Sequence, residues 1–241
     1  LTGGRMVLQP LAEHSAAFLS YLDEWMGSLP TQPFSKVFNH PQKTVVICVD
    51  IIKGFTKIGP LSSPRIQAVV EPIAQLFRRA WDAGVRNFIL SQDAHDPQAI
   101  EFSAYPQHCV RGSEEAETVD AFRSLPFFDR MTIIEKNSIS SMFSPGLHPW
   151  MKEHREVDTF IVVGACTDLC VSQLAMEMRL DGNAHQLARR VIVPVNCIAT
   201  YDRPVELAKD QGGMPHDADL LSAVALYHMA LNRVTVLQKI T

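Results

Sequence analysis

IVVGACTDLCVSQ, residues 161–173, is the stretch on which the reading of this chain turns. With Thr159 and Phe160 before it, its opening is a β-branched and aromatic run without charge, the composition of a buried strand. Gly164 and Ala165 end the run. Thr167 and Asp168 are both good N-cap residues, and Leu169, Val171, Leu174, Ala175 and Met178 then recur near helical spacing. Cys170 is thereby placed in the first turn of a helix that follows a strand. Unpaired N–H groups and the helix dipole at such a turn stabilise a thiolate and lower its pKa. The same N–H groups can hold an oxyanion beside the sulfur. The competing reading is a small buried residue at a tight turn, since a free cysteine is often plain core.

Working outward, strands alternate with helices. TVVICVD (44–50) reads as a buried strand ending in Asp50, and a Gly/Pro/Ser loop follows from Gly54 to Pro64. Residues 65–83 carry Ile66, Val69, Val70, Ile73, Leu76, Phe77 and Trp81 at helical spacing, with Gly84 as the stop. VRNFILSQD (85–93) is a second strand, ending in Asp93. The irregular stretch 94–115 is long enough to suggest a functional loop. MTIIEK (131–136) is a third strand, ending in Lys136, and a short helix near 146–155 leads to the fourth. RRVIVPVNC (189–197) is a fifth strand, 216–231 a helix and RVTVLQ (233–238) a sixth strand. This order predicts an α/β fold: a six-stranded, mostly parallel sheet with helices on both faces, Rossmann-like in three layers. In such sheets the ligand site lies beyond the carboxyl ends of the strands. Asp50, Asp93, Lys136 and, one turn further, Cys170 all fall at that edge.

Residues 1–43 read as an N-terminal extension, partly helical over Leu11–Met26 and then interrupted by Pro30, Pro33 and Pro41; the domain proper runs over 44–241. The opening residues lack a charged segment followed by an apolar one, so no signal peptide is expected. No apolar run reaches about 18 residues, so no membrane span is expected either. A net charge of −4 without a basic stripe argues against nucleic-acid binding. Five cysteines without a framework spacing suit reduced thiols in a cytoplasmic protein. No GxGxxG follows the first strand, which removes the usual dinucleotide loop.

Two groups of residues carry chemistry. Cys170 needs a base, and Asp50 can accept its proton. Lys136 supplies the cation that keeps Asp50 ionised and offsets the charge of acyl transfer. The bland alternative is an Asp50–Lys136 ion pair at the sheet edge. The second group is Asp93-Ala94-His95, then Glu101, then His108, a carboxylate and imidazole set that suits Zn²⁺, Mn²⁺ or Fe²⁺ with positions left open; its alternative is loop polar residues capping turns. Cys109 adjoins His108 but points away from any site His108 faces. His40, His148, His154, His185 and His216 read as surface residues, and His228 as a packed one. Cys48 reads as core and Cys197 as structural. Cys166 and Cys170, four residues apart, are poorly spaced for a redox disulfide.

These motifs match a known family. The chain resembles the isochorismatase-like cysteine hydrolases and, within them, the nicotinamidases, particularly of the plant type. The resemblance rests on Val49-Asp50-Ile51-Ile52-Lys53-Gly54-Phe55, on Lys136 in EKNSISSMF, and on Gly164-Ala165-Cys166-Thr167-Asp168-Leu169-Cys170-Val171. It also rests on Asp93-Ala94-His95, on Pro106-Gln107-His108-Cys109 with Gly112-Ser113, and on the segment 197–216. It covers roughly residues 44–238. The resemblance implies a Cys170/Asp50/Lys136 triad that hydrolyses nicotinamide through a thioester. It implies an oxyanion hole from the N–H groups of Cys166 and Cys170, and a cis peptide between Ala165 and Cys166. It further implies a divalent metal, zinc first, on Asp93, His95 and His108 with Glu101 as an added ligand, binding the substrate's ring nitrogen, and Phe55 and Tyr105 flanking the ring. A homo-oligomer is implied as well. The chain departs from the common pattern at Ile52, Lys53, Ala94 and Tyr105, which bears on which amide is preferred. Another small carboxamide as substrate, or a non-catalytic binding protein of the same fold, are the competing functions.

Overall fold

The computed structural model describes residues 10–241. Six strands form the main sheet: β1 Thr44–Val49, β2 Asn87–Asp93, β3 Thr132–Lys136, β4 Thr159–Ala165, β5 Arg190–Pro194 and β6 Thr235–Leu237. Their spatial order is β3-β2-β1-β4-β5-β6, and every pairing is parallel. The strand order therefore reverses between β1 and β4, which makes their carboxyl ends the switch point where open α/β sheets bind ligands. Ile198–Ala199 adds a short seventh strand beside the end of β4. The expected strand 189–197 stops at Pro194, which has no N–H to continue the ladder, and turns through Val195–Cys197.

The helices that frame the sheet include α1 Ala16–Gly27, α2 Val70–Asp82, α3 Leu147–Glu153, α4 Ser172–Ala184 and α5 Ala218–Leu231. The single helix expected over 65–83 is two, Pro64–Ala68 and α2. Pro72 explains the break: in a continuous helix its ring would collide with the carbonyl of Ala68, so it is accommodated only in the first turn of a new helix. Alternation along β1 feeds two cores. Val46 and Cys48 face Phe77 of α2, while Val45, Ile47 and Val49 belong with Leu174 and Met178 of α4 and Leu226 of α5. Cys48 and Cys197 are both buried, as read.

The segment before residue 44 is built onto this body. Trp25 of α1 meets Tyr227 of α5 edge to face at 5.3 Å, and Trp25 and Met26 pack against the second core. Thr31–Gln32 pairs in parallel with Lys239–Ile240, and the Phe34 N–H donates to Thr241 O. Among the described residues no helix is long and apolar enough to cross a membrane.

Register brings the strand ends level. Val49 lies beside Gly164 on one side and Ser91 on the other, and Asp93 lies beside Lys136. The close approach of β1 and β4 depends on Gly164. Its φ is +115°, and a Cβ there would stand 2.0 Å from Val49 O. Gly164→Ala must both strain the backbone and push β1 from β4. The expected cost is at least about 3 kcal/mol in urea unfolding; a variant as stable as the parent would mean the two strands can part at this point without loss.

Candidate active site

Asp50 closes β1 in a left-handed conformation, φ 53°, which aspartate tolerates better than most residues. Its N–H donates to Ser91 O, and its Oδ1 accepts from the Asp93 N–H at 2.9 Å. Lys136 ends β3 with a fully buried side chain. Its Nζ sits 2.8 Å from Asp50 Oδ2, 2.5 Å from Asp93 Oδ1 and 3.7 Å from Cys170 Sγ. One ammonium thus touches both carboxylates and the thiol.

Burial and charge set the protonation of this group. Burial disfavours the charge on Lys136, but Asp50 and Asp93 more than offset it and hold the ammonium well above its ordinary range. Burial and then the neighbouring Asp93 raise Asp50 to about 7, against the pull of Lys136 and of a hydrogen bond from Cys170. Burial also works against Asp93, yet Lys136 and His95 bring it below the usual carboxylate range. Burial pushes the Cys170 thiol up; Lys136 lowers it, while Asp50 and Asp93 raise it further. Cys170 does open the helix that follows β4: it lies in a π-helical turn, Thr167–Val171, continuous with α4. The expected lowering of its pKa is corrected, because burial of the thiol, with two nearby carboxylates, outweighs the pull of Lys136. Neither Thr167 nor Asp168 caps α4, which has no side-chain cap. The peptide between Ala165 and Cys166 is cis, as the resemblance implies.

The second group gathers at the end of β2. Oxygen of Asp93 and nitrogens of His95 and His108 lie within 4.8 Å of one another, all three residues buried. His95 Nε2 stands 3.5 Å from Asp93 Oδ2, and His108 Nε2 4.0 Å from it. The remaining ring nitrogens are engaged on the far side: His95 Nδ1 lies 3.1 Å from Asn137 Oδ1, and His108 Nδ1 donates to Pro106 O at 2.8 Å. That bond leaves the lone pair of His108 Nε2 turned inward. His95 Nε2 is buried without a hydrogen-bond partner. A polar atom so placed, beside a carboxylate and a second imidazole, fits a divalent cation. Glu101 Oε1 is 3.9 Å from His95 Nε2, at the edge of this cluster and outside its tight group of three. The Cys109 thiol is packed at Gly54, where an added Cβ would meet it at 2.6 Å, which keeps it out of the set.

Both groups open onto one narrow cleft. Asp50, Asp93, Cys170, Ala165 and Cys166 line it together with Phe55, Tyr105, Glu101 and His108. Phe55 lies 5.6 Å from the His108 ring, nearly edge-on. Sequence reasoning did not find Leu61, Ile139, Leu169 and Tyr201, which complete the lining, nor Asn137, which orients His95. Asn137 directly follows Lys136, and that adjacency was the available signal; the apolar wall residues offered none. Two histidine assignments are corrected. His216 is buried, bonded to Asp168 and to Tyr201 O, and His228 of α5 is exposed. His154 is half-buried, stacked on Trp150 at 4.1 Å, while His40, His148 and His185 are exposed as read.

A thiol, a carboxylate able to carry its proton and a fixed ammonium, placed at the switch point of a parallel sheet, can attack a carbonyl carbon and return a proton to a leaving group. That is the equipment of a cysteine hydrolase. The chain belongs to the isochorismatase family: the family model described as Isochorismatase domain matches residues 44–210. It is 32% identical over 226 residues to Nicotinamidase 1 of Arabidopsis thaliana, covering 85% of this chain and 89% of that protein. Its fold matches a cysteine hydrolase from Pseudomonas syringae pv. phaseolicola with TM-score 0.66, 24% identity and coverage of 82% of this chain and 89% of the other. It also matches the pyrazinamidase of Pyrococcus horikoshii in complex with zinc, with TM-score 0.63, 20% identity and coverage of 81% and 99%. The chain is thus an amide-hydrolysing enzyme of the isochorismatase family.

Lys136→Leu should leave two buried carboxylates without their cation. The expected loss is about 3–5 kcal/mol in urea unfolding at neutral pH. A loss under about 1 kcal/mol would mean that one carboxylate is held neutral instead.

Proposed function

We propose that this enzyme hydrolyses nicotinamide to nicotinic acid and ammonia. The observation that carries the reading is the single cleft shared by the Cys170, Lys136 and Asp50 group and the Asp93, His95 and His108 group, with Phe55 and Tyr105 as aromatic sides. A flat heteroaromatic amide suits such a cleft: the ring lies between the aromatic sides, and the carboxamide reaches the thiol.

In this reading Asp50 takes the proton from Cys170 Sγ as the sulfur attacks the amide carbon. A carboxyl raised to about 7 is suited to both halves of that exchange at neutral pH. The N–H groups of Cys166 and Cys170 receive the oxyanion. Lys136 holds Asp50 in place and offsets the negative charge that accumulates. Asp50 then delivers the proton to the departing nitrogen, ammonia leaves, and a thioester on Cys170 remains. Water attacks the thioester, Asp50 accepts its proton, and nicotinic acid is released as the thiol is restored. Asp93, His95 and His108 would hold a divalent metal, zinc by analogy with the Pyrococcus protein, which supplies a Lewis-acid anchor for the pyridine nitrogen.

Ammonia release from nicotinamide, pyrazinamide, N-carbamoylsarcosine and a plain aliphatic amide tests the reading. Nicotinamide should be turned over fastest, Cys170→Ala should lower the rate at least about a thousandfold, and chelation should remove activity that Zn²⁺ restores. Preference for the aliphatic amide, unaffected by chelation, would sink both the substrate and the metal assignment.

A further inference from the structure

The excursion between Arg203 and His216 takes no part in the chemistry proposed above. Arg203 and His216 are clasped by paired backbone hydrogen bonds, each N–H donating to the other's carbonyl at 2.8 Å. Residues 204–215 leave this clasp as a short helix, Val205–Gln211, followed by a turn, and the Arg203 guanidinium braces the excursion by donating to Gly212 O. The clasp returns His216 to a buried place against the cleft wall.

The ring of His216 has three partners. Nδ1 lies 2.8 Å from Tyr201 O, and Nε2 lies 2.8 Å from Asp168 Oδ2. Its face lies on the Tyr201 ring, with centroids 3.9 Å apart and planes 19° from parallel. The Tyr201 carbonyl can only accept, so Nδ1 donates to it, and Nε2 is the atom that meets Asp168. A histidine that merely packs needs only one such partner. Here the two partners belong to different segments of the site: Asp168 is in the turn Thr167–Val171 that presents Cys170, and Tyr201 lines the cleft. Among the described residues no other side chain hydrogen-bonds to Asp168, whose Oδ1 is buried without a partner.

We infer that His216 is a positioning residue that ties the turn carrying the nucleophile to the aromatic wall facing the substrate, and so sets where Cys170 Sγ stands relative to the bound amide. The inference rests on the cysteine chemistry proposed above. It makes the 204–215 excursion part of the active site's support rather than a surface ornament.

Three variants test it. His216→Phe keeps a ring on Tyr201 and removes both hydrogen bonds. Asp168→Ala removes the partner on the turn, and Asp168→Asn keeps an acceptor oxygen there. Two readouts apply: kcat and KM for ammonia release from nicotinamide, and the rate at which iodoacetamide alkylates Cys170, which needs no turnover. His216→Phe and Asp168→Ala should lower kcat and the alkylation rate by about ten- to a hundredfold, with KM within about twofold of the parent, because a small displacement of a reacting group is costly. Asp168→Asn should recover most of both. A lowered melting temperature with kcat and alkylation rate unchanged per folded molecule would overturn the inference and leave His216 a packing residue. Should Asp168→Ala fail to fold, His216→Phe carries the same comparison. If the parent releases no ammonia from nicotinamide, the function proposed above fails, and the alkylation rates alone still decide the role of His216.

Discussion

One buried ammonium between two buried carboxylates is the constraint on which the rest of this site depends. Lys136 reaches Asp50 and Asp93 at once, and none of the three is acceptable in that position alone. Their arrangement requires β1, β2 and β3 to end level, with Asp93 beside Lys136. A slip of one residue in β3 would send the lysine to the other face of the sheet. The group carries one positive charge against two negative ones. Burial, together with that imbalance, opposes a resting thiolate on Cys170 and raises Asp50 to about 7. The nucleophile is then made when the proton crosses to Asp50, rather than kept ready as a free anion.

Asp93 belongs to both halves of the site. Its Oδ1 takes the Lys136 ammonium, and its Oδ2 faces His95 and His108. The two constellations are therefore one connected cluster, and charge placed among the imidazoles is felt at Lys136 through a single carboxylate. Asn137, next in sequence to Lys136, fixes the His95 ring from the other direction. Two adjacent residues at the end of β3 thus serve the two chemistries.

What the sequence made legible follows physical rules with short reach. Alternation of strand and helix gave the parallel sheet, and the residues at the strand ends gave Asp50, Asp93 and Lys136. The Asp93-x-His95 spacing and His108 in one long loop gave the imidazole cluster. What stayed hidden depends on contacts between distant segments. His216 reads as a polar loop residue until the fold brings Asp168 to its ring, 48 positions away in the chain. The direction of the Cys170 shift is hidden for the same reason: a helix terminus is a local feature, whereas the burial of the thiol and the two carboxylates from β1 and β2 depend on the assembled sheet. The division of the expected 65–83 helix is missed by apolar spacing alone, although Pro72 carries the signal, since the steric rule needs only the residue four positions earlier.

The pairing of Thr31–Gln32 with Lys239–Ile240 has a consequence for how the molecule is made. During synthesis the earlier strand emerges long before its partner, and roughly 200 residues must appear before the two can meet. Until then Trp25 and Met26 also lack Tyr227 and the rest of α5 to pack against. The apolar side of α1 therefore stays uncovered until α5 has emerged, so its burial is among the late events of synthesis rather than the early ones.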